Sequence, residues 1–156
     1  MLKKIISGGQ TGVDRAALDA AIDCNFPYGG YIPRGRLAED GVIDEKYSLL
    51  VELNSDDYSD RTKKNIEDSD GTVVVYDGIC GKGTMFTIYY AKEMKKPVLV
   101  IDLSKTDVSS AVKEIETFVG ENRINVLNVA GPRASIDPEI YKKAYPIIRT
   151  LIENLR

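Results

Sequence analysis

Apolar and polar positions along this chain switch between two periods. Residues 2–7 form a short apolar run that ends in Gly8 and Gly9. Residues 14–23 (DRAALDAAID) follow, with apolar side chains at Ala17, Leu18, Ala21 and Ile22. That i, i+1, i+4, i+5 spacing marks one face of a helix. The chain therefore opens with a predicted strand, glycine turn and helix. Residues 71–77 (GTVVVYD) are strongly β-branched and bounded by Asp-Gly on both sides, the clearest strand in the sequence. Residues 97–103 (PVLVIDL) form a continuous apolar run, typical of a strand buried on both faces. Residues 124–130 (INVLNVA) supply a last strand.

Helical spacing fills the intervals at 58–68, with Ser59 or Asp60 as cap, at 83–94, and at 108–120, where Gly120 ends the helix. A final helix is expected to about residue 155, capped by Asp137 or Ser135 and tolerating Pro138 in its first turn. Residues 26–42 are rich in glycine and proline and read as a long ordered loop with one short strand. Strands alternating with helices predict the α/β class: a single Rossmann-like, doubly wound, mostly parallel sheet with helices on both faces. Without repeats, low-complexity tracts or a linker, residues 1–156 are expected to form one domain.

Composition narrows the function classes. A chain of 156 residues, 43% hydrophobic and 29% charged, buries enough surface to fold without disulfides or a structural metal. The net charge of −3 argues against nucleic-acid and membrane-surface partners, which select a basic excess. The apolar start is too short for a signal peptide or a membrane span, so a cytoplasmic location is expected. Cys24 and Cys80 lie far apart and read as free thiols. The sequence has no histidine, which removes histidine acid–base chemistry, the usual triads and most zinc or iron sites. It also has no tryptophan, and its tyrosines are scattered, which leaves no stacking platform for single-stranded nucleic acid.

Two glycine-rich turns carry the candidate chemistry. The first runs Ser7-Gly8-Gly9-Gln10-Thr11-Gly12-Val13-Asp14-Arg15. Glycines between a buried strand and a helix let the backbone approach a ligand closely, and the helix N-terminus favours an anion. Thr11 and Gln10 add a hydroxyl and an amide. The turn matches neither G-x-x-x-x-G-K-[ST] nor G-x-G-x-x-G. The second, Asp77-Gly78-Ile79-Cys80-Gly81-Lys82-Gly83-Thr84, also joins a strand to a helix and should open on the same sheet edge. There Lys82 could meet phosphate, while Cys80 reads as a small space-filling side chain.

Two further segments are dense in polar groups. In the loop Pro33-Arg34-Gly35-Arg36-Leu37-Ala38-Glu39-Asp40-Gly41, arginine forks suit phosphate or carboxylate. Arg61, Thr62 and Asn65 share a helical face, whereas Asp68 and Asp70 read as helix termination.

Taken together, GGQTGVDRAALDAA, GYIPRGRLAEDGVI, RTKKNIEDSDGTVVV, GKGT and NVAGPR resemble the molybdenum-cofactor carrier family. That family lies in a superfamily with the lonely-guy phosphoribohydrolases and a DNA-processing protein. The resemblance runs from about Ile5 to Arg133. It implies a Rossmann-like fold, a pocket for a nucleotide-like or pterin-phosphate ligand, and a homo-oligomer, dimer or tetramer. Molybdenum cofactor enters as cargo, with no tightly bound metal. The phosphoribohydrolases carry a glutamate three positions after the threonine of their glycine-threonine turn, where this chain has Thr87. Their proline before paired glycines is also missing at Ile79-Cys80.

The leading expectation is a binding or carrier protein for a phosphorylated small molecule. Gly8, Gly9, Gln10, Thr11, Gly12 and Arg15 would serve one anionic group, and Gly81, Lys82, Gly83 and Thr84 another. Arg34 and Arg36 would supply positive charge, and Asp14 and Glu39 would hold polar ring or hydroxyl groups. Two alternatives stay open. One is an enzyme on a nucleotide-like substrate, with Asp14 or Glu39 orienting a water. The other is a nucleotide-sensing signalling module.

Overall fold

A computed structural model describes residues 1–156. The β-branched run becomes strand β7 (Gly71–Tyr76), whose Val73, Val74 and Val75 are fully buried. It is an interior strand with a parallel neighbour on each side. Val73 aligns with Leu99 of β8 (Val98–Asp102) on one side and with Val129 of β9 (Val126–Ala130) on the other. β9 pairs in turn with β1 (Lys4–Ile6), and β1 with the edge strand β2 (Tyr28–Gly29), all parallel. The sheet order is β2-β1-β9-β7-β8.

Counted from β9, the strands follow as β9, β1, β2, β7, β8, and the spatial order becomes 3-2-1-4-5. That is the doubly wound order of dinucleotide-binding folds. The chain is a circular permutation of it, with its last strand and helix standing where the common order has its first.

Five helices cover the sheet. α1 (Val13–Asp23), α4 (Val108–Glu121) and α5 (Ile140–Glu153) pack together on one face. α2 (Tyr58–Glu67) packs with α3 (Gly81–Glu93) on the other, as right-handed crossovers in this order require. The face carrying α1, α4 and α5 holds the larger core, in which Ile5, Leu127, Ile115, Ile147 and Ile148 are among the fully buried side chains. Each contributes roughly 1.5–3 kcal/mol of transfer free energy. A second, smaller cluster of Leu18, Ile32, Ala38, Ile43, Tyr47 and Leu50 anchors the loop region beside α1.

Three expectations change. α2 is capped not by Ser59 or Asp60 but by Asp57, whose carboxylate accepts from the Ser59 N–H at 2.8 Å. Residues 26–42 hold four two-residue strands: β2, β3 (Tyr31–Ile32), β4 (Leu37–Ala38) and β5 (Gly41–Val42). β3 pairs with β6 (Val51–Glu52), and β4 with β5. Pairs this short leave no alternation to detect in sequence. The final helix begins at Ile140 with Glu139 in the capping position and no side-chain cap. Asp137 instead accepts from the Glu139 N–H just outside the helix at 3.1 Å, and Ser135 is taken up by Glu39. Pro138 therefore precedes α5, while Pro146 lies inside it.

Candidate functional site

In an open α/β sheet the ligand crevice lies where the strand order reverses. Here that point is the carboxyl end of β9 and β7. A cavity of about 590 Å³ opens there, within the range of small-molecule sites. It is walled by Gly8, Gln10 and Asp14 from the turn after β1, by one face of α2, by the first turns of α3, and by residues 128–133 running out of β9. Close backbone packing shapes this wall. A Cβ on Gly131 would sit 2.2 Å from the Val75 carbonyl oxygen, so only glycine lets the chain leave β9 against β7.

The inner end is buried and ionic. Asp14 and Arg61 are each 8% exposed, with Arg61 Nη1 4.0 Å from Asp14 Oδ2. Arg61 also donates to the Gly8 carbonyl at 2.8 Å and to that of Tyr58 at 3.3 Å. Asp14 accepts from the Gln10 N–H at 3.2 Å. Burial raises its pKa from the ordinary 3.8 to about 6, against the lowering by Arg61 and the Gln10 N–H. Burial likewise lowers the Arg61 pKa, opposed by the Asp14 charge. Gln10 is 6% exposed; its Oε1 accepts from the N–H groups of Thr11 at 3.1 Å and Glu39 at 2.9 Å. Its Nε2 has no partner.

The Asp14 shift has a measurable sign. Between pH 3.8 and about 6 the folded chain holds a proton that the unfolded chain has lost. Stability therefore falls as pH rises through that window, by about 3 kcal/mol from this group. Urea denaturation at pH 4 and pH 7 should show the wild type losing that amount relative to Asp14→Asn. Parallel stabilities of the two proteins would refute the shift.

The outer end is cationic. Gly81, Lys82, Gly83 and Thr84 of α3 lie on the wall, and no side chain caps that helix. An uncapped N-terminus presents free N–H groups and the positive end of the helix dipole. Lys82 is exposed there, whereas Arg133, 46% exposed and paired with Glu39 at 3.4 Å, lies on the same wall close enough to Arg61 to lower its pKa. α1 differs: its first N–H groups meet protein, with Val13 donating to the Pro132 carbonyl at 3.3 Å.

The remaining candidates take other positions. Thr11 Oγ1 donates to Glu39 at 2.6 Å and accepts from the Ala134 N–H at 3.0 Å. Glu39 further accepts from the N–H and hydroxyl of Ser135 and pairs with Arg133 at 3.4 Å. Burial raises the Glu39 pKa, but the hydrogen bonds from Ser135 and Thr11 outweigh it, leaving it low. Glu39 thus fastens the 37–42 loop to the 131–136 turn behind the wall. Arg15 forms a two-point pair with Asp40 at 3.0 Å and donates to the Gly9 carbonyl. Gly9 and Gly12 shape the turn from outside the cavity. Arg34 pairs with Asp56 at 3.7 Å on the surface. Arg36, at φ 55°, turns its guanidinium onto the carbonyls of Ile43, Asp44 and Tyr47. Neither arginine lines the cavity.

The cations on the wall are Lys82, Arg61 and Arg133. Arg61 was visible in sequence only as part of a polar helical face, and Arg133 only as the end of a Gly-Pro-Arg turn. Thr87 is buried on the wall and donates to the Gly83 carbonyl at 3.1 Å. Nowhere do three or more cysteine, aspartate or glutamate side chains gather closely enough to hold a metal ion. No helix is long and apolar enough to cross a membrane.

Residues 5–152 match the circularly permutated YpsA SLOG family. The chain belongs to that family. The match agrees with the strand order, in which β9 and α5 close the chain instead of opening it. Among solved structures, a crystal structure of a "putative molybdenum carrier protein" from Syntrophus aciditrophicus superposes with a TM-score of 0.94. The two are 48% identical, over 97% of this chain and 95% of the other. No curated protein matches. In this circularly permutated SLOG chain the turn after β9 is topologically the first strand-to-helix turn, the place where dinucleotide folds put their phosphate loop. Permutation puts it at residues 131–133, far in sequence from the glycines of residues 8–12.

Proposed function

We propose that the cavity binds a phosphate-bearing small molecule and that the chain carries it, with molybdenum cofactor as the cargo. The observation that supports this most directly is the polarity of the cavity. Its outer end combines an uncapped helix N-terminus with Lys82, while Asp14 and Arg61 offset each other's charge at the inner end. A phosphate belongs at the first and a polar ring at the second. The Syntrophus relative bears a carrier name, which favours delivery over turnover. Thr87, on the wall where the phosphoribohydrolases have a glutamate, offers no carboxylate for nucleotide cleavage. Self-association and a cytosolic location belong to the same reading. Met85 and Tyr89, each 59% exposed and one turn apart on α3, are apolar surface that a second copy could cover.

A thermal-shift panel tests the proposal with molybdenum cofactor, AMP, NAD, ADP-ribose, molybdate and sulfate. A ligand at about 100 times its Kd adds roughly 2.7 kcal/mol, or on the order of 5–10 °C for a chain of this size. Molybdenum cofactor should shift the midpoint by that amount, and Lys82→Ala should reduce the shift. A shift with adenine nucleotides alone would replace the carrier reading by a nucleotide-handling one. No shift with any phosphorylated compound would overturn it.

A further inference from the structure

We infer that the cavity has a floor subsite, built on Asn128, that reads a planar heterocycle by an edge carrying a hydrogen-bond donor beside an acceptor. This rests on the phosphate-ligand proposal and specifies the group at the other end of that ligand. The topology opens the floor. α3 packs on β7 and β8, and α2 packs against β3, so β9 lies under the gap between the two helices on this face. Val73, Leu127 and Val129 point into the larger core, so Thr72 and its aligned partner Asn128 point to the opposite face. Asn128 is level with Ile6, two residues below Gly8, and stands two residues before the end of β9. At about 3.3 Å per residue that sets it roughly 7 Å beneath the sheet edge, with room above it for a group linking ring to phosphate.

Asn128 is 3% exposed in an interior strand, where an apolar side chain carries no desolvation penalty. Its Nδ2 donates to the Thr72 Oγ1 at 3.2 Å, and Thr72 is fully buried. That leaves Oδ1 and the second Nδ2 hydrogen without a partner in the chain. Oδ1 is not sealed in, because Gln10 Nε2 is the one unpartnered side-chain nitrogen or oxygen closed off from solvent. The Asn128 amide therefore keeps open surface, and the open space beside it is the cavity that it lines. A carbonyl beside an N–H pairs at two points with a donor beside an acceptor, as asparagine does with adenine. The amino edge of adenine and the lactam edge of hypoxanthine or a pterin share this pattern. Sugars and simple phosphates lack it. Phe86 from α3 and Tyr58 from α2 add aromatic surface to the same cavity, which suits a flat ring.

Isothermal titration with AMP, IMP, neopterin monophosphate and ribose 5-phosphate tests the assignment. The tightest of the first three identifies the ring, and it should bind at least about tenfold more tightly than ribose 5-phosphate, the worth of two neutral hydrogen bonds. Asn128→Leu/Thr72→Val removes the amide without stranding the hydroxyl. It should weaken that ring ligand about tenfold and leave ribose 5-phosphate unchanged. Urea denaturation of the free proteins adds a readout that a structural role would move the other way. The double variant should be at least as stable as the wild type, since a buried amide with an unmade bond is a stability loss. Should the double variant not fold, Asn128→Ser keeps a hydroxyl for Thr72, lacks the two-point edge, and should show the same selective loss. A ring ligand held as tightly by these variants as by the wild type would overturn the floor assignment and leave the phosphate reading standing. Ribose 5-phosphate binding as tightly as all three ring compounds would do the same. Failure of all four ligands to bind would overturn the assignment and, with a silent thermal-shift panel, the phosphate reading too.

Discussion

Gly12→Ala is expected to cost about 3–5 kcal/mol of folding stability. Gly12 precedes α1 at φ 83°, ψ −128°, backbone angles that a side chain opposes by clash with its own peptide groups. The tertiary structure adds a second obstacle. A Cβ there would lie 2.3 Å from the Pro132 carbonyl oxygen and 3.0 Å from the Arg133 Cα. Both are backbone atoms, so no side-chain rotation relieves the contact. The same Pro132 carbonyl accepts from Val13 at the start of α1. Pushing it away therefore uncaps the helix and moves the segment that holds Arg133. Gly83→Ala is the control. It has open space around its Cβ position and sits inside α3, so alanine should be neutral or stabilising by up to about 1 kcal/mol. Urea denaturation of both variants checks the contrast, and a Gly12→Ala loss below 1 kcal/mol would show that the turn can relax.

Replacing Arg61 with methionine should cost a similar 3–5 kcal/mol at pH 8 and clearly less at pH 5. Methionine fills much of the volume of the arginine stem, so the loss is electrostatic. Arg61 is the closest cation to a carboxylate that burial already disfavours, and two backbone carbonyls also depend on it. Without it the Asp14 pKa rises beyond about 6. The folded chain then holds its proton over a wider range while the unfolded chain still releases it near 3.8, so stability goes on declining to higher pH and the total loss is larger. At pH 5 Asp14 is already mostly protonated and little charge is left stranded. The double variant Asp14→Asn/Arg61→Met should recover more than additivity allows, since both changes address one interaction. A loss for Arg61→Met that is equal at pH 5 and pH 8 would show that Arg61 acts by packing alone.

These two variants mark the boundary between what was legible in sequence and what was not. The strands at 71–77, 97–103 and 124–130 and the helices between them are visible because each repeats a local signal over several residues. Val73 to Val75 carry their β-branching wherever they are placed. The two glycine turns are legible for the same reason, and both reach the cavity wall, the first through Gly8, Gln10 and Asp14 and the second through Gly81 to Thr84. Charge density was a poorer guide. Arg34 and Arg36 sit in the most arginine-rich loop, yet the positive φ of Arg36 turns its fork toward backbone carbonyls. An unsatisfied buried carbonyl is costly, so nearby donors go to the loop itself before any ligand.

By itself the sequence determined the α/β class, the order of the longer elements and the glycine turns. Only the tertiary structure decided the rest. It brought Arg61 against Asp14, residues 131–133 beside the first turn, and Glu39 onto Ser135, 96 positions away. It also showed the permuted strand order that puts the crevice between β9 and β7. The physical reason is the range of each effect. Propensity and periodicity act over a few residues, whereas a site built from ion pairs and unpartnered donors exists only once distant segments share a low-dielectric interior.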